Sequence, residues 1–171
     1  LLVLDGPIYP KELLTWSDRD RELAELAREA KPKRVLENYV RLVETFAERD
    51  VPIAGFVKNP SAATITRTLR EHGVEAPWPD DTGLFTRLLE RREEGERLTD
   101  RLTFTSWFYS RGGADSALAA DGDALGVDRK LSPEQYEVAF FVLYDPREDV
   151  LYKLEAPRAF AADSEVRGAL T

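Results

Sequence analysis

The chain opens on Leu1-Leu2-Val3-Leu4, an unbroken apolar run that ends at Asp5-Gly6-Pro7. A run of this kind closed by a turn reads as a strand buried on both faces, with an acid at its carboxyl end. From Val35 to Asp50 the apolar residues Val35, Leu36, Tyr39, Val40, Leu42, Val43, Phe46 and Ala47 recur at helical spacing. That stripe predicts an amphipathic helix. Pro52 follows, and Ile53-Ala54-Gly55-Phe56-Val57 reads as a second buried-type strand, ending at Lys58-Asn59-Pro60. Strand, helix and strand make a crossover unit. Such crossovers are right-handed and leave both strand ends on one sheet edge, so Asp5 and Lys58 are expected to face one crevice.

Beyond this unit Ser61 is placed to cap a helix running through Ile65 and Leu69 to His72, with Gly73 as its terminator. A further helix is expected over roughly 82–92. The segment 91–101 is almost wholly charged and 112–126 is rich in glycine, alanine and aspartate, so both are expected to be exposed connections. Residues 136–144 and 150–155 are apolar and aromatic and flank Asp145-Pro146-Arg147-Glu148-Asp149, which predicts an antiparallel hairpin. The elements together describe an α/β protein with a mixed sheet covered by helices. There is no internal repeat and no low-complexity tract.

Length and composition narrow the picture. A chain of 171 residues, 43% of them hydrophobic, can bury the core of one domain. It has no cysteine, which excludes disulfides, thiolate metal sites and a cysteine nucleophile. No apolar run approaches the roughly 20 residues of a membrane helix, so a soluble, cytoplasmic protein is expected. The absence of methionine and the abrupt start on a strand suggest a fragment. The net charge is -8, and arginine supplies most of the cations. Such an acidic surface fits halophilic adaptation, where the Debye length falls to roughly 3 Å near 1 M salt, and equally an ordinary acidic protein. Any DNA contact must then come from a local arginine-rich groove or from bridging metal ions.

Asp5 stands where a carboxylate on a rigid strand end can reach a hard divalent cation. The competing reading is an aspartate that merely bonds its own turn. Lys58 could hold a scissile phosphate or orient water, or simply be a solvated strand-end lysine. Metal-assisted phosphodiester cleavage needs several converging carboxylates. Asp18, Asp20, Asp121, Asp123 and Glu155 are the further acids considered, with Glu155 able either to reach the groove from the hairpin side or to pair with an arginine. Asp121-Gly122-Asp123 lacks the spaced ligands of a calcium loop. His72, the only histidine, suits a helix C-terminus, and no zinc site is expected. Trp16, Trp78, Trp107, Phe104, Phe108 and Tyr109 could stack on single-stranded bases or pack a core, and Arg111-Gly112-Gly113 could approach a phosphate. No dinucleotide, P-loop or hydrolase-elbow motif is present.

Three stretches, LLVLDGPIYP, ENYVRLVETFAERDVPIAGFVKNP and YEVAFFVLYDPREDVLYKLEAP, together resemble the NurA family in its haloarchaeal form, in that family's order and over almost the whole chain. The resemblance implies a ribonuclease H-like α/β fold, a mixed sheet with flanking helices and a C-terminal antiparallel hairpin, with 1–171 as one nuclease domain truncated at both ends. It implies a manganese-dependent nuclease, with magnesium as an alternative ion, that cleaves single-stranded DNA and degrades DNA ends 5′ to 3′ in end resection and recombination repair. It implies a HerA-type hexameric translocase as partner, and a homodimer. Carried onto this chain, it makes Asp5 a metal ligand and Lys58 a catalytic cation; beside these, Glu155 is a candidate supporting acid by its place at the strand end, and Lys58, Arg67, Arg111 and Arg158 are candidate DNA contacts. The family's earlier Asp-Gly-Ser strand and glutamate are expected before Leu1, and its later tyrosine and histidine beyond Thr171, so this stretch alone is expected to be inactive. Two other readings stay open: a non-catalytic module that couples a translocase to DNA ends, and a flavodoxin-like domain binding a small anion at the same sheet edge.

Overall fold

A computed structural model of the chain describes residues 1–10, 21–27, 29–60, 62–110 and 127–161. The expected glycine-rich connection 112–126 and the residues Asp18, Asp20, Ser61, Arg111, Asp121, Asp123 and Trp16 lie outside the described residues.

The elements in order are β1 (Leu2–Asp5), α1 (Arg21–Ala27), α2 (Ala30–Glu48), β2 (Ile53–Lys58), α3 (Thr64–Glu71), α4 (Asp81–Leu89), β3 (Arg92–Glu93), β4 (Glu96–Arg97), β5 (Thr103–Phe104) and β6 (Phe108–Ser110). A 3-10 turn (Pro133–Tyr136), β7 (Val138–Asp145), β8 (Val150–Pro157) and α5 (Arg158–Ala161) complete them. The main sheet has the order β1-β2-β8-β7-β5, with β6 also paired to β7. The chain divides into two compact units, the first of 1–55, 108–140 and 155–171 and the second of 56–107 and 141–154.

In the first unit β1 and β2 run in the same direction. The Leu2 N–H donates to the Pro52 carbonyl at 2.9 Å, and three residues on, Gly55 lies against Gly6 and Ile8. The helix predicted from the apolar stripe is α2, which starts earlier than expected, at Ala30. Pro32 is tolerated there because N–H groups of a first helical turn have no intrahelical partner. Leu36, Val40 and Val43 of α2 join Ile8, Tyr9, Ile53, Tyr136, Val138 and Phe160 in one core.

The expectation that β1 is buried on both faces does not hold. Leu2 and Leu4 pack on the core, whereas Leu1 is 64% and Val3 55% exposed. β1 pairs on one side only, with β2, among the described strands. An apolar run reports that a strand is sticky; it does not report how many neighbours cover it.

The hairpin forms as predicted, from β7 and β8. Adjacent strands joined by four residues are antiparallel by necessity, and β7, which also pairs antiparallel with β5 and β6, is buried along nearly its whole length. On β8 burial alternates through Leu151, Lys153 and Glu155.

The second unit carries α3 and α4. The amino end of α3 is capped across the chain rather than locally: Asp81 accepts from the Ile65 N–H at 3.1 Å and the Thr66 N–H at 2.8 Å. His72 and Gly73 end the helix as expected, Gly73 at a φ of +74°. Asp80 caps α4 through the Gly83 N–H at 2.8 Å. The charged connection 91–101 is exposed over most of its length, and it contains a small hairpin of β3 and β4, turned by Glu94 and Gly95, both at positive φ.

Candidate functional site

Asp5 ends β1 and is exposed. Its carboxylate has no hydrogen bond or ion pair among the described residues. Gly6 follows at a φ of +138°, a conformation L side chains rarely adopt, so the chain leaves the strand sharply here. The next turn is held from several sides. Ile8 and Tyr9 are each only 1% exposed, and the Ile8 N–H donates to Glu155 Oε2 at 3.2 Å. Beneath them Gly55 has no side chain to interfere. A Cβ there would stand 2.7 Å from the Gly6 carbonyl oxygen and 2.8 Å from the Ile8 nitrogen, distances real Cβ atoms do not sustain. The acid, unpartnered among the described residues, thus sits beside a turn bonded to Glu155 and packed on Gly55.

The other residues singled out from the sequence have varied surroundings. Lys58 closes β2, exposed and without a partner among the described residues. Glu155, on β8, is fully buried. Arg67 lies exposed on α3 beside Glu71, 3.8 Å away. Arg158 follows β8, donates to the Glu137 carboxylate at 2.8 Å and places its guanidinium 5.6 Å from the centre of the half-exposed Tyr109 ring. Of the aromatics, Phe108 stacks on Phe140 and Trp107 meets Phe141 edge-on, while Phe104 stays exposed. His72 Nδ1 lies 2.9 Å from the Thr68 carbonyl oxygen.

Two acidic centres escape the sequence reading. Glu44 is buried on α2 and accepts from the Lys130 N–H and the Tyr136 hydroxyl, both at 2.6 Å. Burial, then Glu44, pushes the Tyr136 hydroxyl up to about 12. A cavity of about 370 Å³ opens beside it between α2 and 128–130, edged by Arg41 and Lys130. Glu44 falls on the buried stripe four residues after Val40, where an apolar pattern registers it only as an interruption. In the second unit the Glu90 carboxylate, its side chain 5% exposed, collects Arg92 at 2.8 Å, Arg97 at 2.9 Å and Arg87 at 3.2 Å. Hydrogen bonds from Arg92 and then Arg97 hold its pKa down at about 2.

Among the described residues no group of three histidine, cysteine, aspartate or glutamate side chains is placed to hold a metal ion. Asp5 is exposed and unpartnered among the described residues, which do not supply the several converging ligands of a coordination shell. No helix among them is long and apolar enough to cross a membrane.

A mixed sheet flanked by helices, with an antiparallel hairpin, places the chain in the α/β class and is compatible with a ribonuclease H-like fold. The family model of the NurA domain matches residues 1–171, and the chain belongs to that family, which is associated with nucleases and DNA repair. No curated protein and no solved structure matches the chain.

Proposed function

We propose that this chain is the part of a manganese-dependent DNA nuclease that contributes Asp5 to the metal site. On this reading the enzyme cleaves single-stranded DNA and degrades DNA ends 5′ to 3′ during end resection and recombination repair, with magnesium as a possible substitute ion. The supporting observation is an exposed carboxylate, free of partners among the described residues, on a clamped strand end in a chain of a nuclease-associated family. A divalent ion, when bound, supplies activated water and stabilises the leaving oxygen. Asp5 would be one of its ligands, and Lys58 would hold the scissile phosphate by charge. Arg67, Arg111 and Arg158 are proposed contacts to the DNA backbone, with Tyr109 beside Arg158 offering a face for a base. The proposed setting is cytoplasmic, as a homodimer working with a HerA-type hexameric translocase.

Asp5 is the ligand proposed among the described residues, and one carboxylate plus water binds a divalent ion too weakly to keep it in a catalytic position. On this reading the other ligands come from elsewhere, and this stretch alone is proposed not to cleave DNA. The test compares labelled single-stranded DNA with manganese across the complete polypeptide, its Asp5→Ala variant and this stretch alone. Equal cleavage by the first two would remove Asp5 from the mechanism. The second reading is a non-catalytic module linking a translocase to DNA ends. Translocase binding by the complete protein without any cleavage would select it.

A further inference from the structure

We infer that Glu155 is a positioning residue: its buried carboxylate, by holding the Ile8 N–H, fixes the turn that presents Asp5, and is not itself a metal ligand or a general acid. The inference rests on the reading of Asp5 as a ligand. Glu155 is 0% exposed, and an acid that is to meet an ion shared with DNA must reach the surface at which the DNA arrives. A buried carboxylate is costly unless it is hydrogen-bonded. Here it accepts from a main-chain N–H three residues after Asp5 and 147 positions away along the chain.

The bond falls where it controls Asp5 best. Before Asp5, the Leu2 N–H is tied to Pro52, and across Asp5 the Gly6 N–H donates to the Leu4 carbonyl at 3.1 Å. After it, Gly6 has the freest backbone of any residue type, so the direction of the acid depends on what holds the chain immediately beyond. That is Ile8, gripped by Glu155 above the bare Cα of Gly55. Groups that orient a ligand without touching the ion commonly change metal affinity 10- to 100-fold.

The experiment uses amide resonances of the complete protein. Hydrogen exchange at Ile8 reads the clamp, and paramagnetic broadening of Gly6 by manganese alone reads the ion at Asp5. Glu155→Gln keeps an oxygen acceptor of the same reach, so Ile8 should stay protected and the manganese concentration for half-broadening should stay within about twofold of wild type. Glu155→Leu should expose Ile8 and raise that concentration roughly tenfold. Gly55→Ala should do the same with every charge in place. Loss of broadening in Glu155→Gln with Ile8 still protected would make Glu155 a ligand and overturn the proposal. So would an unchanged midpoint in a folded Glu155→Leu or Gly55→Ala protein whose Ile8 exchanges freely. The glutamine arm decides even if the leucine variant does not fold. Asp5→Asn is the separate control: broadening that survives it removes the ligand reading of Asp5, while Ile8 protection still reports the clamp.

Discussion

Two aspartates of this chain close a strand just ahead of a proline-containing turn, Asp5 before Gly6-Pro7 and Asp145 before Pro146-Arg147. Asp145 is consumed by its turn. It accepts from the Arg147 N–H at 3.0 Å and from the Arg147 guanidinium at 2.9 and 2.8 Å, and those bonds, the side-chain ones first, hold its pKa below the usual carboxylate range. Asp5 accepts nothing from its own turn. The difference comes down to which position proline occupies. An aspartate engages its own turn by accepting from the N–H two residues on. For Asp145 that residue is Arg147, with both an N–H and a cation. For Asp5 it is Pro7, which has no N–H to give. A strand-end acid followed two residues later by proline is thereby left available to something outside the turn.

The comparison breaks first on a pair of variants. Asp5→Asn should cut manganese-dependent cleavage by the complete protein at least roughly a hundredfold, the upper end of what loss of a supporting group costs a metal site. Its stability should change by no more than about 0.5 kcal/mol, as for other exposed positions. Asp145→Asn should do the reverse, lowering the melting temperature while cleavage is retained. If the two variants lose the same property, the distinction between the turns has no functional meaning.

Acid sharpens the contrast between engaged and free carboxylates. Glu90, like Asp145, is held by arginines, and its pKa is lowered from 4.5 to about 2. A carboxylate with a depressed native pKa binds protons more readily in the unfolded chain, so its stabilisation is complete above about 4.5 and is lost as pH falls towards 2. Unfolding midpoints measured across that window should decline, and Glu90→Gln should flatten the decline at its lower end. An unchanged slope in that variant would mean the arginine cluster contributes nothing to the acid sensitivity.

These contrasts also show what could be read in advance. The helix α2 and the β7–β8 hairpin were legible because periodicity reports burial directly: Leu36, Val40 and Val43 recur at the spacing of one helix face, and the hairpin carries its own turn chemistry. Glu44 was not, since a pattern that sorts residues into apolar and polar treats an acid on the stripe as an interruption rather than as a buried acceptor. The one-sided pairing of β1 among the described strands was not, because neighbours are a property of topology. Asp5 was found as a strand-end acid, but the Gly55 contact and the Glu155 bond that steady it join residues far apart in the chain, which local spacing does not encode. The capping of α3 by Asp81 was missed for the same reason.

Pro7 offers a milder test of the same rule. Pro7→Ala supplies the missing N–H two residues after Asp5 and gives that carboxylate a way to close on its own turn. A hydrogen bond of this kind contributes about 0.5–1.5 kcal/mol, so competition from it should weaken manganese binding roughly two- to tenfold. Titration followed by broadening of the Gly6 amide measures it. No weakening would mean that the φ of Gly6, rather than the missing donor, keeps Asp5 out of its turn.

Tyr9 provides the smallest effect and the converse case. Four residues after Asp5, its hydroxyl also has no hydrogen-bond partner among the described residues, but it is buried. Burial, reinforced by Tyr136 and Glu155, raises its pKa far above the ordinary tyrosine value, so it stays a neutral hydroxyl. An exposed acid without a protein partner is satisfied by water and costs the fold nothing. A buried hydroxyl without one forfeits its hydration, a penalty of about 1–3 kcal/mol before any relaxation. Tyr9→Phe removes that oxygen while keeping the ring that packs the core, and stability should therefore hold or rise by about 1 kcal/mol, read from the urea midpoint at constant slope. A loss of similar size would show that the hydroxyl has a partner in solution. Glu155 would then be the first group to examine, because a carboxylate shared between Tyr9 and Ile8 would hold the turn beneath Asp5 at both residues.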